Sequence, residues 1–97
     1  MNISKSTKIV CTIGPASDTY EVLSNLIDVG MNVMRLNFSH GEYKDHLEKI
    51  KLIRQIEKDK NMVIPIMLDT KGPEIRCHLF KNGKAEIKRD SIVRISM

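Results

Sequence analysis

The sequence predicts an α/β fold with parallel strands, and three observations carry that prediction. Short β-branched or apolar runs alternate with helical patterns in the order β-α-β-α-β over residues 7–68, with short connections. The third run, Met62 to Leu68, is almost continuously apolar, as in a parallel strand buried on both faces. After Asp69-Thr70-Lys71-Gly72-Pro73 the helical patterns stop and shorter strand patterns follow. Strands and helices in this order imply right-handed helical crossovers between neighbouring parallel strands.

Thr7-Lys8-Ile9-Val10-Cys11-Thr12-Ile13-Gly14 is rich in β-branched residues and reads as the first strand, stopped by Gly14-Pro15. Asp18 is the expected N-cap of the first helix, with Glu21 at the third position of a capping box. Val22, Leu23, Leu26 and Ile27 recur at helical spacing, and Gly30 suits the C-terminal cap. The second strand is Asn32 to Phe38. The second helix runs from Glu42 to about Lys60, with an apolar stripe of Leu47, Ile50, Ile53 and Ile56 and a charged remainder. Met62 to Leu68 forms the third strand. Glu74 to Phe80 and Ala85 to Met97 read as shorter strands around the turn Lys81-Asn82-Gly83-Lys84, where Asn-Gly is a hairpin signal. A domain boundary falls at about residue 73. Three parallel strands and two helices do not close a layer, and Ser91 to Met97 still has a strand pattern. The expectation is therefore a segment of a longer chain.

Composition bounds the partners. Of 97 residues 41% are hydrophobic, enough for a core, but aromatics are 4% and Trp is absent, so that core is aliphatic and Met-rich. Lys and Arg number 16 against 12 Asp and Glu, a mild and scattered excess of +4. Such a surplus suits anionic small molecules as well as it suits nucleic acid, and more often is only solvated surface. Cys11 and Cys77 lie far apart without metal-ligand spacing and read as free thiols in a reducing compartment. Met1 to Lys8 is polar, and no run approaches the ~18 apolar residues of a membrane span. A soluble, cytoplasmic protein with no membrane partner is expected.

Chemistry concentrates in Met34-Arg35-Leu36-Asn37-Phe38-Ser39-His40-Gly41, a strand end running into a polar tip. Strand alternation puts Arg35, Asn37 and Ser39 on one face and Met34, Leu36 and Phe38 on the other. A guanidinium, an amide and a hydroxyl in a row are costly in a sealed core but useful at the mouth of a cavity. In β/α folds reacting groups sit at the C-terminal ends of the strands. Here the second strand offers Arg35, Asn37, Ser39 and His40, and the third offers Asp69, Thr70 and Lys71. Oxygen-rich groups with one carboxylate suit a hard, weakly charged cation. Arg35 suits bidentate capture of a phosphate or carboxylate. Plainer readings stand beside these: Arg35 as a structural partner of an acid, Asp69 as a turn cap, His40 as a surface-loop residue, Cys11 as an inert strand residue.

Three stretches, Thr-Lys-Ile-Val-Cys-Thr-Ile-Gly-Pro-Ala-Ser (7–17), Met-Arg-Leu-Asn-Phe-Ser-His-Gly (34–41) and Leu-Asp-Thr-Lys-Gly-Pro-Glu-Ile-Arg (68–76), together resemble the N-terminal part of the pyruvate kinase family. That family is built on a β/α barrel interrupted after its third strand by a small β-domain that closes over the site. The resemblance implies that residues 1–73 supply the first three βα units of a parallel (β/α)8 TIM barrel. Residues 74–97 would begin the inserted β-barrel domain, the lid. It further implies phosphoryl transfer from phosphoenolpyruvate to ADP, giving pyruvate and ATP in glycolysis, with Mg2+ and K+ as cofactors and a homotetrameric complete protein.

By the same resemblance Arg35 contacts the transferring phosphate, and Arg76 is a second catalytic arginine. Asn37, Phe38, Ser39, His40 and Arg76 lie at the nucleotide. Asn37, Ser39, Asp69 and Thr70 are potassium ligands, Thr70 through its carbonyl. Glu74 stands where family members that need a monovalent cation carry Glu. Cys77 and His78 receive no role. The family's catalytic lysine and its magnesium-binding carboxylates come later in its sequence, so this segment alone is expected to be inactive. The alternative is a non-catalytic anion- or RNA-binding module using the same strand ends. Against it stand the missing Arg/Lys stripe and aromatic platform.

Overall fold

The structure, a computed structural model, describes residues 5–97; the first four residues of the expected barrel segment lie outside it. The elements are β1 (Ile9–Thr12), α1 (Tyr20–Asp28), β2 (Met31–Asn37), α2 (Tyr43–Lys60) and β3 (Ile66–Asp69). The strands form one parallel sheet in the order β1-β2-β3. The α/β class and the strand order therefore agree with the sequence pattern. Thr12 pairs with Arg35 and Asn37 pairs with Asp69. The C-terminal ends of all three strands thus meet along one edge.

Alternation along β2 separates two faces. Met34 and Leu36 are fully buried, against Leu23 and Ile27 of α1 and Ile53 and Ile56 of α2. Ile13, Met31 and Ile64 complete this core. It is aliphatic with methionine, as the composition requires. Val33, Arg35 and Asn37 take the opposite face, which no helix covers, and are only half-buried.

Several boundaries differ from the sequence expectation, each for a local reason. Thr19, not Asp18, caps α1: its backbone is extended and its hydroxyl accepts the Val22 N–H at 3.3 Å. Glu21 therefore sits one position too early for the predicted box. The end of α1 does agree: Gly30 follows the C-cap Val29 at φ +125°, the place of a capping glycine. The capping box forms at α2 instead, where the Glu42 and Asp45 side chains each meet the other's backbone N–H. The buried line of α2 runs through His46, Ile53 and Ile56, with Ile50 packed beside it, while Leu47 is 49% exposed. Leu47 lies off the stripe by one position, and His46 takes its place.

The third strand is shorter than Met62 to Leu68 because Pro65 has no N–H to give the ladder. Ile64 is buried under α2, but Val63, Met67 and Leu68 are exposed. Burial on both faces is therefore not observed: β3 is the last strand of the sheet, and neither of its faces is fully covered. The strands expected over 74–80 and 85–97 are absent; no helix or strand follows Asp69 among the described residues. The Asn82-Gly83 turn does form, with the Gly83 N–H bonded to Phe80 O at 2.9 Å and φ +78° at Gly83. Its arms stay exposed and unpaired, as two strands with no sheet to join are marginal in water. No helix among the described residues is long and apolar enough to cross a membrane.

Glu57 anchors the entry to β3. Its carboxylate accepts the Ile64 N–H at 2.6 Å and Nη1 of Arg54 at 2.8 Å. Burial pushes its pKa up, but these two donors outweigh burial and hold it below the ordinary range. A lowered folded-state pKa means stability that is present near neutral pH and lost as pH falls through that value. E57A leaves the buried Ile64 N–H without a partner and is expected to cost about 1–3 kcal/mol. Thermal melts of the complete protein and of E57A should differ most near neutral pH, and the gap should narrow below about pH 4.

Candidate active site

Arg35 organises the strand ends. It points to the uncovered face of the sheet, between Thr12 of β1 and Asp69 of β3. Its Nε–H donates to Asp69 Oδ2 at 3.0 Å, and Nη2 donates to the same oxygen. Its Nη1 donates to Thr12 Oγ1 at 2.7 Å. One guanidinium thus bridges all three strands. The Arg35 and Asp69 side chains are 29% and 44% exposed, so the pair contributes little stability, about 0–1 kcal/mol. Its consequence is orientation. A guanidinium carries five N–H groups; these bonds use three, which leaves one on each terminal nitrogen. Asp69 Oδ1 takes no part in these bonds. Arg35 is therefore paired with an acid, as the plain structural reading has it, with two of its N–H groups not used in these bonds.

The tip after β2 is a built turn. The strand ends at Asn37, and Phe38 and Ser39 form a turn, so Ser39 does not continue the strand's polar face. Asn37 Oδ1 accepts the Ser39 N–H at 3.0 Å, and the His40 N–H donates to Asn37 O at 3.3 Å. The Phe38 N–H donates to Asp69 O at 2.9 Å, which ties the turn to the end of β3. Gly41 sits at φ +76°, a conformation that glycine adopts without strain. Phe38 stays on the core face, half-buried against the cluster, and packs on His46 and Tyr43, with ring centroids 4.2 and 6.0 Å away. His40 is exposed, as a loop histidine would be.

A hollow of about 680 Å³ opens beside this tip, lined by Thr12, Gly14, Asn37, His40, Asp45 and Lys49 among others. It lies next to Asn37 and His40 rather than over Arg35 and Asp69. The donors fit a weakly charged cation better than a divalent one. Asn37 and Asp69 are register partners, Ser39 and Thr70 each follow within two residues, and Asp69 is the one carboxylate. Among the described residues no group of three or more His, Cys, Asp or Glu could hold a metal ion.

Arg76 pairs with Glu74, which lies within electrostatic reach of His40 at the tip. The Arg76 Nε–H meets Glu74 at 2.8 Å, and Lys71 lies 3.9 Å from the same carboxylate. The Arg76 hydrogen bond, opposed by some burial and aided by the charges of Arg76, Lys71 and His40, holds the Glu74 carboxyl below its ordinary pKa. Thr70 and Lys71 are exposed. Thr12 and His46 are the site residues that the sequence reading missed. Thr12 was findable as the last polar side chain of the first strand, in step with Arg35. His46 was findable as the one polar residue seven positions before Ile53 on the buried line.

A family model described as pyruvate kinase, barrel domain, matches residues 4–97. The chain belongs to the pyruvate kinase family. It is 54% identical over 93 residues to pyruvate kinase of Sporosarcina psychrophila, covering 96% of this chain. It is 52% identical over 93 residues to pyruvate kinase of Staphylococcus aureus strain USA300, again covering 96% of this chain. Among solved structures it is similar to a pyruvate kinase from Cryptosporidium parvum, at 49% identity and TM-score 0.70 over 80% of this chain. The chain spans 16% of the length of each of these relatives.

The turn that carries the pyruvate kinase motif depends on Gly41. A side chain there meets the unfavourable left-handed backbone, so G41A is expected to destabilise by about 1 kcal/mol or more. A melt of the complete protein should show a lowered midpoint; an unchanged midpoint would contradict this turn geometry.

Proposed function

We propose that the chain is the N-terminal portion of a pyruvate kinase, and that the complete protein transfers a phosphoryl group from phosphoenolpyruvate to ADP, giving pyruvate and ATP in glycolysis. The observation that carries the reading is Arg35, held by Thr12 and Asp69 at the C-terminal ends of three parallel strands with two N–H groups left over by these bonds. Membership of the family supports it. Residues 1–73 would be the first three βα units of a (β/α)8 TIM barrel, and residues 74–97 the start of the inserted lid domain. The uncovered sheet face bearing Val33, Arg35 and Asn37 fits the inside of such a barrel.

Phosphoryl transfer rests on positioning and on offsetting charge. Arg35 would bind the phosphoryl oxygens of phosphoenolpyruvate and keep that charge balanced as it redistributes. Asp69 and Thr12 would keep the guanidinium aimed while it does so. Asn37, Phe38, Ser39 and His40 would border the nucleotide, and Arg76 would join them in an arrangement other than its present pairing with Glu74. Asn37, Ser39, Asp69 and the Thr70 carbonyl would hold K+. When bound, that cation supplies a fixed positive charge beside the phosphate. Mg2+ and the catalytic lysine would be held by later parts of the complete protein. A cytoplasmic homotetramer completes the reading. No observation favours the anion- or RNA-binding module.

Phosphoenolpyruvate-dependent ATP formation by the complete protein is the direct assay, and its absence defeats the reading. R35K keeps the charge but loses the fork, and is expected to lower kcat/KM for phosphoenolpyruvate about a hundredfold or more. T12V should lower it about three- to tenfold, while T12S, which keeps the hydroxyl, stays near the parent. Replacing potassium by a bulky organic cation should remove most turnover; equal rates in both would defeat the reading of Glu74.

A further inference from the structure

The geometry points to His46 as a positioning residue for ADP, acting through the Asn37–Gly41 turn; this rests on the pyruvate kinase reading above. His46 is 4% exposed, the one buried polar or charged residue among those described. Its Nε2 lies 2.8 Å from the carbonyl oxygen of His40. A carbonyl only accepts, so Nε2 carries the proton and donates it to this bond. The ring stacks on Phe38 with centroids 4.2 Å apart and planes at 20°. Gly41 passes so close that a Cβ there would stand 3.4 Å from Nε2. One side chain on the first turns of α2 therefore grips the turn at residues 38, 40 and 41.

Packing alone does not account for a histidine here. The other buried positions of α2 are Ile53 and Ile56. The His46 Nδ1 is buried with no hydrogen-bond partner among the described residues. A buried polar atom without a partner costs stability, and an aliphatic side chain would fill the same space without that cost. What an aliphatic side chain lacks is the donor to His40 O. That bond fixes the peptide plane of His40, and with it the path of the backbone from Asn37 into α2. Arg35 is held by side-chain bonds to Thr12 and Asp69, and the turn meets that pair through the Phe38 N–H bond to Asp69 O. Loosening the turn should therefore reach the nucleotide more strongly than phosphoenolpyruvate.

The test uses the complete protein and two side chains of similar shape that differ in the donor. H46M, with no donor, should raise KM for ADP about three- to tenfold while KM for phosphoenolpyruvate stays within about twofold. H46Q, whose amide can reach the same carbonyl, should restore most of the ADP value. H46F keeps a ring without the donor and should behave as H46M does, so it takes over if H46M does not fold. An unchanged KM for ADP in these donor-less variants overturns the inference. So does a parallel rise in both KM values with a lowered melting midpoint that H46Q fails to recover, since that is the mark of packing alone. If the unsubstituted protein forms no ATP from phosphoenolpyruvate and ADP, the functional reading fails and the inference falls with it. That result is distinct from either outcome in an active enzyme.

Discussion

A single guanidinium crossing three strands is the constraint on which the rest of the site depends. Arg35 reaches Asp69 on one side and Thr12 on the other only because the parallel register sets Thr12 beside Arg35 and Asp69 beside Asn37. Strand parity does the remainder, since Arg35 must face away from the helices for Met34 and Leu36 to face toward them. A slip of one residue in β2 would bury the charge and expose the core together. The hydrophobic pattern of the strand and the aim of the arginine are thus one requirement.

The helices serve that arrangement from behind. α2 closes the core through Ile53 and Ile56, holds the entry to β3 through Glu57, and grips the turn after β2 through His46. Its two ends therefore set the positions of both sides of the cluster: Asp69 through the start of β3, and Asn37 to Gly41 through the turn. The Phe38 N–H bond to Asp69 O joins the two sides directly. The division also separates the tasks. Strand-to-strand contacts orient the Arg35 guanidinium, while helix-to-turn contacts shape the tip beside the neighbouring hollow.

Much of this was legible in the residues themselves. The β-α-β-α-β order, the parallel sheet and the aliphatic core follow from periodicity that the structure reproduces. The shared position of Arg35 and Asp69 followed from placing polar residues at neighbouring strand ends. What escaped was local or depended on context. Thr19 displaced Asp18 as cap because helix entry is decided by backbone angles at a single residue. Pro65 shortened the third strand although its neighbours are apolar. Burial of Met67 and Leu68, and pairing of the arms around Asn82-Gly83, need covering layers and partner strands that these residues do not supply to one another. Arg76 was placed at the site by motif alone, and here its near partner Glu74 holds it.

The central claim is that Arg35 offers its two remaining N–H groups to a phosphate while Asp69 and Thr12 keep hold of the rest. A crystal structure of the complete protein with an unreactive analogue of phosphoenolpyruvate tests it most directly. The phosphate should accept both of these N–H groups of Arg35, with Asp69 Oδ2 and Thr12 Oγ1 still bonded to the guanidinium. A phosphate bound beyond hydrogen-bond reach of Arg35, or an Arg35 that has let go of Asp69 and Thr12 to bind it, would contradict the claim.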